Sequence, residues 1–245
     1  MLIISPELNW RAGLNEMINI CGNPFACKAL VGGQYHSLQR PQPIAGNKMT
    51  ATNSRTSEYP IDAMFLDRWS PRAFTGEIIT EEQLLTILDA AHWAPSSSNQ
   101  QPWRFIYALK GTEHFEKHLG LLVESNQEWA KNASALIFVI SRSFSGDFSE
   151  NKPRYTHSFD AGAAWGHLAM QARFSGFYAH GMGGIKHDEI RQAFAIPEGY
   201  RVEAGIAIGR LGDKSVLSER NQAREVPSQR MPLAEVAFNG KFIAN

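Results

Sequence analysis

The sequence predicts one main domain of mixed helix and strand, with its site on a polar connection between the two. Three observations lead there. Leu84, Leu85, Ile87, Leu88 and Ala91 recur at helical spacing and give one helix an apolar stripe. Residues 136–141, LIFVIS, are nearly all apolar, as in a strand buried on both faces. Between that helix and a second strand, FIYAL, lies APSSSNQQPW, residues 94–103. Two prolines, three consecutive serines, an asparagine and two glutamines in ten residues suit neither a helix nor a central strand. They do suit a loop rich in hydrogen-bonding groups, held between two regular elements.

The bulk composition narrows the options. A chain of 245 residues suits one sizeable domain, or a large domain with an appendage. With 43% hydrophobic and 20% charged residues it can bury a core. The formal charge of zero argues against nucleic acid as the main partner, because phosphate backbones call for a basic face. No apolar run approaches bilayer length, so no membrane partner is expected. The start, MLIISPELNW, does not read as a secretory signal. Cys21 and Cys27 are the only cysteines; they cannot make a four-ligand zinc site or staple distant elements. No metal site is expected, and a cytoplasmic, reducing setting is.

Taken in order, residues 1–57 read as a poorly ordered extension and residues 58–245 as the domain. The extension carries Arg11, Lys28, Arg40, Lys48 and Arg55 against Glu7 and Glu16, and no periodicity persists in it. An acid-poor, basic start also fits a transit peptide, or a natural beginning at Met49. Order is expected from about Ile61, where Ile61, Met64 and Phe65 can share the buried face of a helix. RWSPRAF, residues 68–74, follows, with Pro71 closing that helix. Its two arginines and a serine are either a solvated basic turn or an anion site. Thr80 with Gln83 makes a capping box, and Glu81 and Glu82 favour the positive end of the helix dipole.

Residues 112–132 read as one polar helical stretch. His114 and His118, with Glu116 between them, lack the order of the zinc-protease motif and are expected on a solvated face. Residues 143–156 form a polar loop, a candidate lid. From 159 to 174 small residues, Ala161, Ala163, Ala164, Gly166 and Ala169, allow another backbone to approach. Strand FYAH runs into GMGGI, residues 181–185, whose glycines permit positive φ and bring backbone N–H groups near a ligand. HDEIRQAF is a helix, IPEGY a turn and VEAGIAIGRLG a strand, and a polar tail carries Arg220, Arg224 and Arg230.

In this order the motifs resemble the FMN-dependent nitroreductase family over about residues 61–238. RWSPRAF is similar to its R-x-S-x-R phosphate motif, and APSSSNQQPW to its P-S-S-x-N-x-Q-P-W loop. GMGGI, IPEGY with its strand, and a late Arg before Pro-Leu also match. The resemblance implies an α+β fold with a central, mainly antiparallel sheet flanked by helices, assembled as an intimate homodimer with FMN at the interface. It implies that Arg68, Trp69, Ser70, Arg72 and Arg230 surround the phosphate and flavin edge. Pro95, Ser96, Ser97 and Ser98 would line the ribityl chain and ring, and Asn126 the pyrimidine edge. Met182, Gly183 and Gly184 would lie at flavin N5. Ser228 stands where some members have a second basic residue. The implied activity is an oxidoreductase in which NAD(P)H, a transient hydride donor, and then a nitroaromatic, quinone or similar acceptor react by turns. No protein residue need be catalytic, because the flavin carries the chemistry. A flavin-fragmenting, dehalogenating or azoline-oxidising enzyme on the same scaffold, or a non-catalytic flavin binder, fits the same motifs. A G-x-G-x-x-G turn after the first strand is absent, which speaks against a Rossmann domain.

Overall fold

The computed structural model of the protein describes residues 53–243, apart from 148, 150 and 151. Residues 1–52, with both cysteines and nearly all of the expected extension, lie outside the described residues. Chain order gives α1 (Ala63–Asp67), α2 (Glu81–His92), β1 (Trp103–Leu109), α3 (Glu113–Gly120), α4 (Glu124–Ala130) and β2 (Ala135–Arg142). Then come α5 (His157–Phe174), β3 (Tyr178–Met182), α6 (His187–Ala193), β4 (Tyr200–Gly209) and α7 (Glu219–Gln222). The four strands form one sheet in the order β1-β2-β4-β3, and every neighbouring pair is antiparallel. Helices cover both faces, so the expected α+β class with an antiparallel sheet is what the chain adopts.

β2 explains that layering. Successive strand side chains point to opposite faces, and every residue of β2 but the last is buried. Leu136, Phe138 and Ile140 enter a core with Phe115 of α3, Trp129 of α4 and Ile190 of α6. Ala135, Ile137 and Val139 enter a second core with Leu84 and Ile87 of α2 and Ala164 and Leu168 of α5. Two cores on one strand require an unbroken apolar run, which is what LIFVIS supplies.

α2 starts as its sequence says. The Thr80 hydroxyl accepts from Gln83 N, and the Gln83 side chain accepts from Thr80 N. Leu84, Ile87, Leu88 and Ala91 are buried, whereas Leu85 faces solvent, so the stripe is narrower than expected. α1 departs further. It buries no residue, and Ile61 and Phe65 are exposed rather than packed. A helix of five residues makes little more than one turn and cannot lay down a stripe.

The single helix expected over 112–132 is two. Lys186 N donates to Leu121 O at 2.9 Å, and Val123 N donates to Gly184 O at 3.2 Å. Backbone groups that a continuous helix would use internally are thus given to the turn after β3. His118 is not on a solvated face: it is buried, stacks on Phe138 with ring centroids 5.0 Å apart, and sets Nδ1 2.8 Å from His114 O. Burial lowers its pKa from the ordinary value. Among the described residues no group of His, Cys, Asp and Glu could hold a metal ion, and no helix is long and apolar enough to cross a membrane.

The β2–β4 pairing carries one irregularity that reaches the site. Val139 pairs with Ala204, but its neighbour Ile140 pairs with Val202, leaving Glu203 as an extra residue on β4. Such a bulge re-aims side chains. Val202 turns into the α3–α4 core, while Glu203, Ala204 and Ile206 all face α5.

Candidate functional site

A cavity of about 1060 Å³ runs along α5, between that helix and the sheet. Arg68 and Ser70 stand in its wall, Met182 and Gly183 line it from the end of β3, and Trp165 and Met170 line it from α5. Four of the residues expected at a cofactor therefore meet in one place, and the rest are distributed around them.

Arg68 caps the C-terminus of α1. Arg55, expected in the loose extension, reaches into the same corner: its Nη1 donates to Leu66 O at 3.1 Å and Arg68 O at 2.8 Å, and its Nε to Ser228 O at 2.8 Å. Arg230 lies close by, its Nη1 donating to Ser228 Oγ at 3.3 Å. Burial first, and Arg230 second, lower the pKa of both Arg55 and Arg68; Arg68 adds to the effect on Arg55 and Asp67 opposes it. Asp67 is itself bonded to Arg173, at 2.6 Å. Among the described residues, Arg55, Arg68 and Arg230 have no carboxylate paired with them. Three guanidinium groups are thus gathered in one corner with no salt bridge to them among the described residues.

Trp69 and Arg72 stand outside the cavity wall. Trp69 is buried in the core, edge-on to Tyr178 with centroids 6.3 Å apart, because alternate side chains of this extended segment point inward. Arg72 is not in the cavity wall. It lies beside Glu225, which is the residue that sequence reasoning missed. The buried Glu225 Oε1 accepts from Arg72 N at 2.7 Å and from Ala73 N at 2.8 Å, while its Oε2 has only Arg72 Nη1, 3.9 Å away. From the other side His180 Nδ1 donates to Pro71 O at 2.9 Å. Side chains from β3 and from the segment after α7 thus grip the peptide groups of 71–73. Burial pushes the His180 pKa down to about 4, with Arg72 and Arg224 adding to that effect. No motif marks either residue; each works by contact across more than a hundred residues.

The glycines of GMGGI do not take positive φ, contrary to expectation. Two of them serve close approach. A Cβ on Gly181 would stand 3.1 Å from the Trp165 ring, and one on Gly184 would stand 2.7 Å from Asn126 Nδ2 and 2.8 Å from Val123 Cγ2. Asn126 is accordingly tied to this turn, Nδ2 donating to Gly184 O at 2.9 Å, and is not in the cavity wall. Gly184 also stays behind the wall, whereas Gly183 is exposed with open space where a Cβ would be.

Positive φ is found instead in the serine loop, at Ser98 (50°), Asn99 (52°) and Gln101 (46°). Three non-glycine residues in the left-handed region within four positions store strain, and such strain concentrates at binding loops. The surroundings hold it in place. Ser96 Oγ accepts from Gln101 N at 3.0 Å, buried Asp160 accepts from Ser97 N at 3.3 Å, and buried Arg154 bonds Gln100. Pro95, Ser97 and Ser98 are exposed and, with Ser96, do not line the cavity of their own chain. The loop is tied to Asp160 at one end of α5, and the arginine corner, through Asp67, to Arg173 at the other. Thirteen helical residues put these anchors about 20 Å apart.

Comparison with known proteins places this arrangement. The family model described as Nitroreductase family matches residues 66–210. A solved structure described as an oxidoreductase containing FMN is 60% identical, with a TM-score of 0.77, covering 80% of this chain and all of that one. A 15.4 kDa protein in the ask 5′ region of Mycolicibacterium smegmatis is 37% identical over 148 residues, 57% of this chain and 97% of the relative. YdgI of Bacillus subtilis, provisionally named an NAD(P)H nitroreductase, is 27% identical over 176 residues, 58% of this chain and 83% of the relative.

Two expected outcomes follow from the packing. Because His180 is folded with a pKa of about 4, against about 6.5 when unfolded, the unfolded chain binds more protons between those values. Its contribution is full above pH 6.5 and is lost as pH falls toward 4, by up to roughly 3 kcal/mol. Urea unfolding at pH 7 and pH 4.5 should show a larger loss for the native chain than for His180→Gln; equal losses would put the acid sensitivity elsewhere. Gly184→Ala should destabilise by roughly 1–3 kcal/mol through overpacking against Val123 and Asn126, while Gly183→Ala should melt within a degree or two of the native chain. Equal melting temperatures for both variants would contradict the roles assigned to the two glycines.

Proposed function

Because the chain belongs to the nitroreductase family, we propose that it is an FMN-dependent oxidoreductase that accepts hydride from NAD(P)H and passes reducing equivalents to a nitroaromatic, quinone or similar acceptor, each leaving before the next binds. The observation that carries the reading is the unpaired arginine corner at the edge of a largely apolar cavity. A phosphate with nearly two negative charges needs such a corner, and a flat tricyclic ring needs such a cavity. The 60% identical oxidoreductase that contains FMN supports the same choice, and the name of the Bacillus relative supports NAD(P)H as donor.

When bound, FMN supplies the redox chemistry, and the protein's residues supply position. Arg68 and Arg230 offer guanidinium forks to the phosphate, and Ser70 offers a hydroxyl. Arg55, bonded to Ser228 O, brings to this corner the second basic group that Ser228 itself lacks. Glu225 and His180 hold the peptide groups of 71–73, so Arg68 and Ser70, already ordered, would meet a phosphate. Gly183, which lines the cavity, would offer its backbone to the ring edge. Trp165 and Met170 keep water from the cavity.

The serine loop enters through a second copy of the chain. In one protomer it is anchored about 20 Å from the arginine corner. Phe65 (59% exposed), Trp93 (77%), Phe159 (80%) and Phe174 (55%) leave large apolar surface uncovered nearby. A twofold dimer apposes the same face of both copies, covering these side chains and carrying Pro95–Ser98 of each to the cavity of the other.

Protein purified without denaturation should be yellow, should release FMN and not FAD, and should lose its colour with NADH or NADPH and regain it with an acceptor. Colourless protein that ignores added FMN would overturn the reading. Charge-assisted hydrogen bonds contribute roughly 1.5–3 kcal/mol each, so Arg68→Ala should weaken FMN binding about ten- to a hundredfold. Arg55→Ala should weaken it in the same direction. Riboflavin, which has no phosphate, should hardly respond. Flavin fluorescence on apoprotein reads both constants, and equal losses for the two ligands would move the phosphate elsewhere. Sedimentation should give a dimer; a monomer retaining FMN would remove the second copy from the site.

A further inference from the structure

The bulge on β4 puts a carboxylate into a wall that is otherwise largely apolar. Glu203 and Ser158 line the cavity together. The Glu203 carboxylate is seated by two neighbouring elements, β2 and α5, and His157 Nδ1 on α5 lies 3.4 Å from its Oε1. Ser141 on β2 donates to its Oε1 at 2.5 Å, and Ser158 on α5 donates to the same oxygen at 2.7 Å. The Ser141 hydroxyl has one proton and gives it to Glu203, so the proton between Ser141 Oγ and His157 Nδ1, 2.7 Å apart, belongs to the histidine. Arg201 Nε lies 3.4 Å from Oε2, but its side chain is 66% exposed, so solvent screens its charge. Ser141 is fully buried and cannot swing away.

A hydroxyl pair and a histidine that fix one carboxylate at a bulge are more than a packed core would need. Without the extra residue on β4, alternation would turn position 203 toward the α3–α4 core, where a carboxylate has no partner. The cavity therefore has two unlike ends. Ser158 and Gln171, both in its wall, are thirteen residues apart along α5, or about 20 Å. Arg68 stands toward the Gln171 end, which Arg173 marks through Asp67, and Glu203 stands beside Ser158.

We propose that Glu203 is a specificity-determining residue that selects the electron acceptor by charge. It favours neutral or cationic acceptors and disfavours those carrying a carboxylate or sulfonate. The inference rests on the cavity being the flavin and acceptor site. Its physical basis is the interaction of a fixed charge with a ligand in a space from which water is partly excluded, where like charges are disfavoured far more than in bulk water. A sequence pattern could not reveal it, because VEAGIAIG reads as an ordinary strand.

The test uses three ligands that differ in one group: 4-nitrobenzamide, 4-nitrobenzoate and 4-nitrobenzylamine. Their dissociation constants with the oxidised holoprotein are measured by flavin fluorescence, and kcat/KM with NAD(P)H as reductant. The native protein should bind the amide and amine more tightly than the carboxylate. Glu203→Gln, which keeps size and one acceptor oxygen, should improve binding of the carboxylate by about tenfold, or 1.4 kcal/mol, and leave the amide within about twofold. Glu203→Asp should retain the native order. The gain should appear in KM for the carboxylate, as a rise in its kcat/KM relative to that of the amide. An unaltered carboxylate-to-amide ratio in Glu203→Gln, with flavin content preserved, would overturn the proposal. If the protein proves to hold no flavin, the functional reading fails and this proposal with it, whereas bound flavin with an unaltered ratio overturns the proposal alone.

Discussion

A buried carboxylate holding two consecutive backbone N–H groups is the interaction on which the site depends. Glu225 comes from a short segment after α7, and the peptide groups it holds, at Arg72 and Ala73, lie 153 and 152 residues earlier. Burying a carboxylate is costly unless it is hydrogen-bonded. Glu225 meets that cost with two charge-assisted bonds and the nearby Arg72 guanidinium. His180 takes the carbonyl on the other side, and its depressed pKa keeps it neutral, so it adds no further positive charge between Arg72 and Arg224. Arg68 and Ser70 project from a chain whose next three residues are fixed by this grip. Their placement is a property of the tertiary structure, not of the motif that contains them.

The difference between motif and grip sets how much could be read in advance. Local rules were legible. The capping box at Thr80 and the apolar run of β2 work within a few residues, and both are present as expected. The family motifs also brought Arg68, Ser70, Met182 and Gly183 to one cavity. What was not legible depends on distant partners. The break at Leu121–Val123 exists because the glycine turn takes its backbone groups, and nothing in the sequence of 112–132 announces that. His118 looked solvated because its neighbours are polar, yet its ring lies on Phe138. Arg55 lay in an acid-poor stretch with no periodicity, and its importance comes only from Ser228, Leu66 and Arg68. The glycines of 181–184 were read for dihedral freedom, when two of them are small because Trp165 and Asn126 press against them.

α5 connects these parts into one device. Its inward face is made of alanines and one leucine, which let it lie close to the sheet and to α2. That close approach leaves a flank of the helix, with Gly162, Trp165 and Gly166, to form one side of the cavity. Each end of the helix carries a polar anchor: Asp160 for the strained serine loop and Arg173 for the arginine corner. The strain at Ser98, Asn99 and Gln101 costs of order 1 kcal/mol or more at each position. A chain whose loop served only to connect α2 and β1 would have no reason to keep it. In the proposed dimer the loop, held rigidly and facing outward, is preorganised for the cavity of the other copy. The exposed aromatic side chains around it have the same requirement. In the proposed dimer, strain, exposure and the separation of the two motif halves along α5 have one origin: each half of the binding surface is arranged for the other copy rather than for the protomer in which it is found.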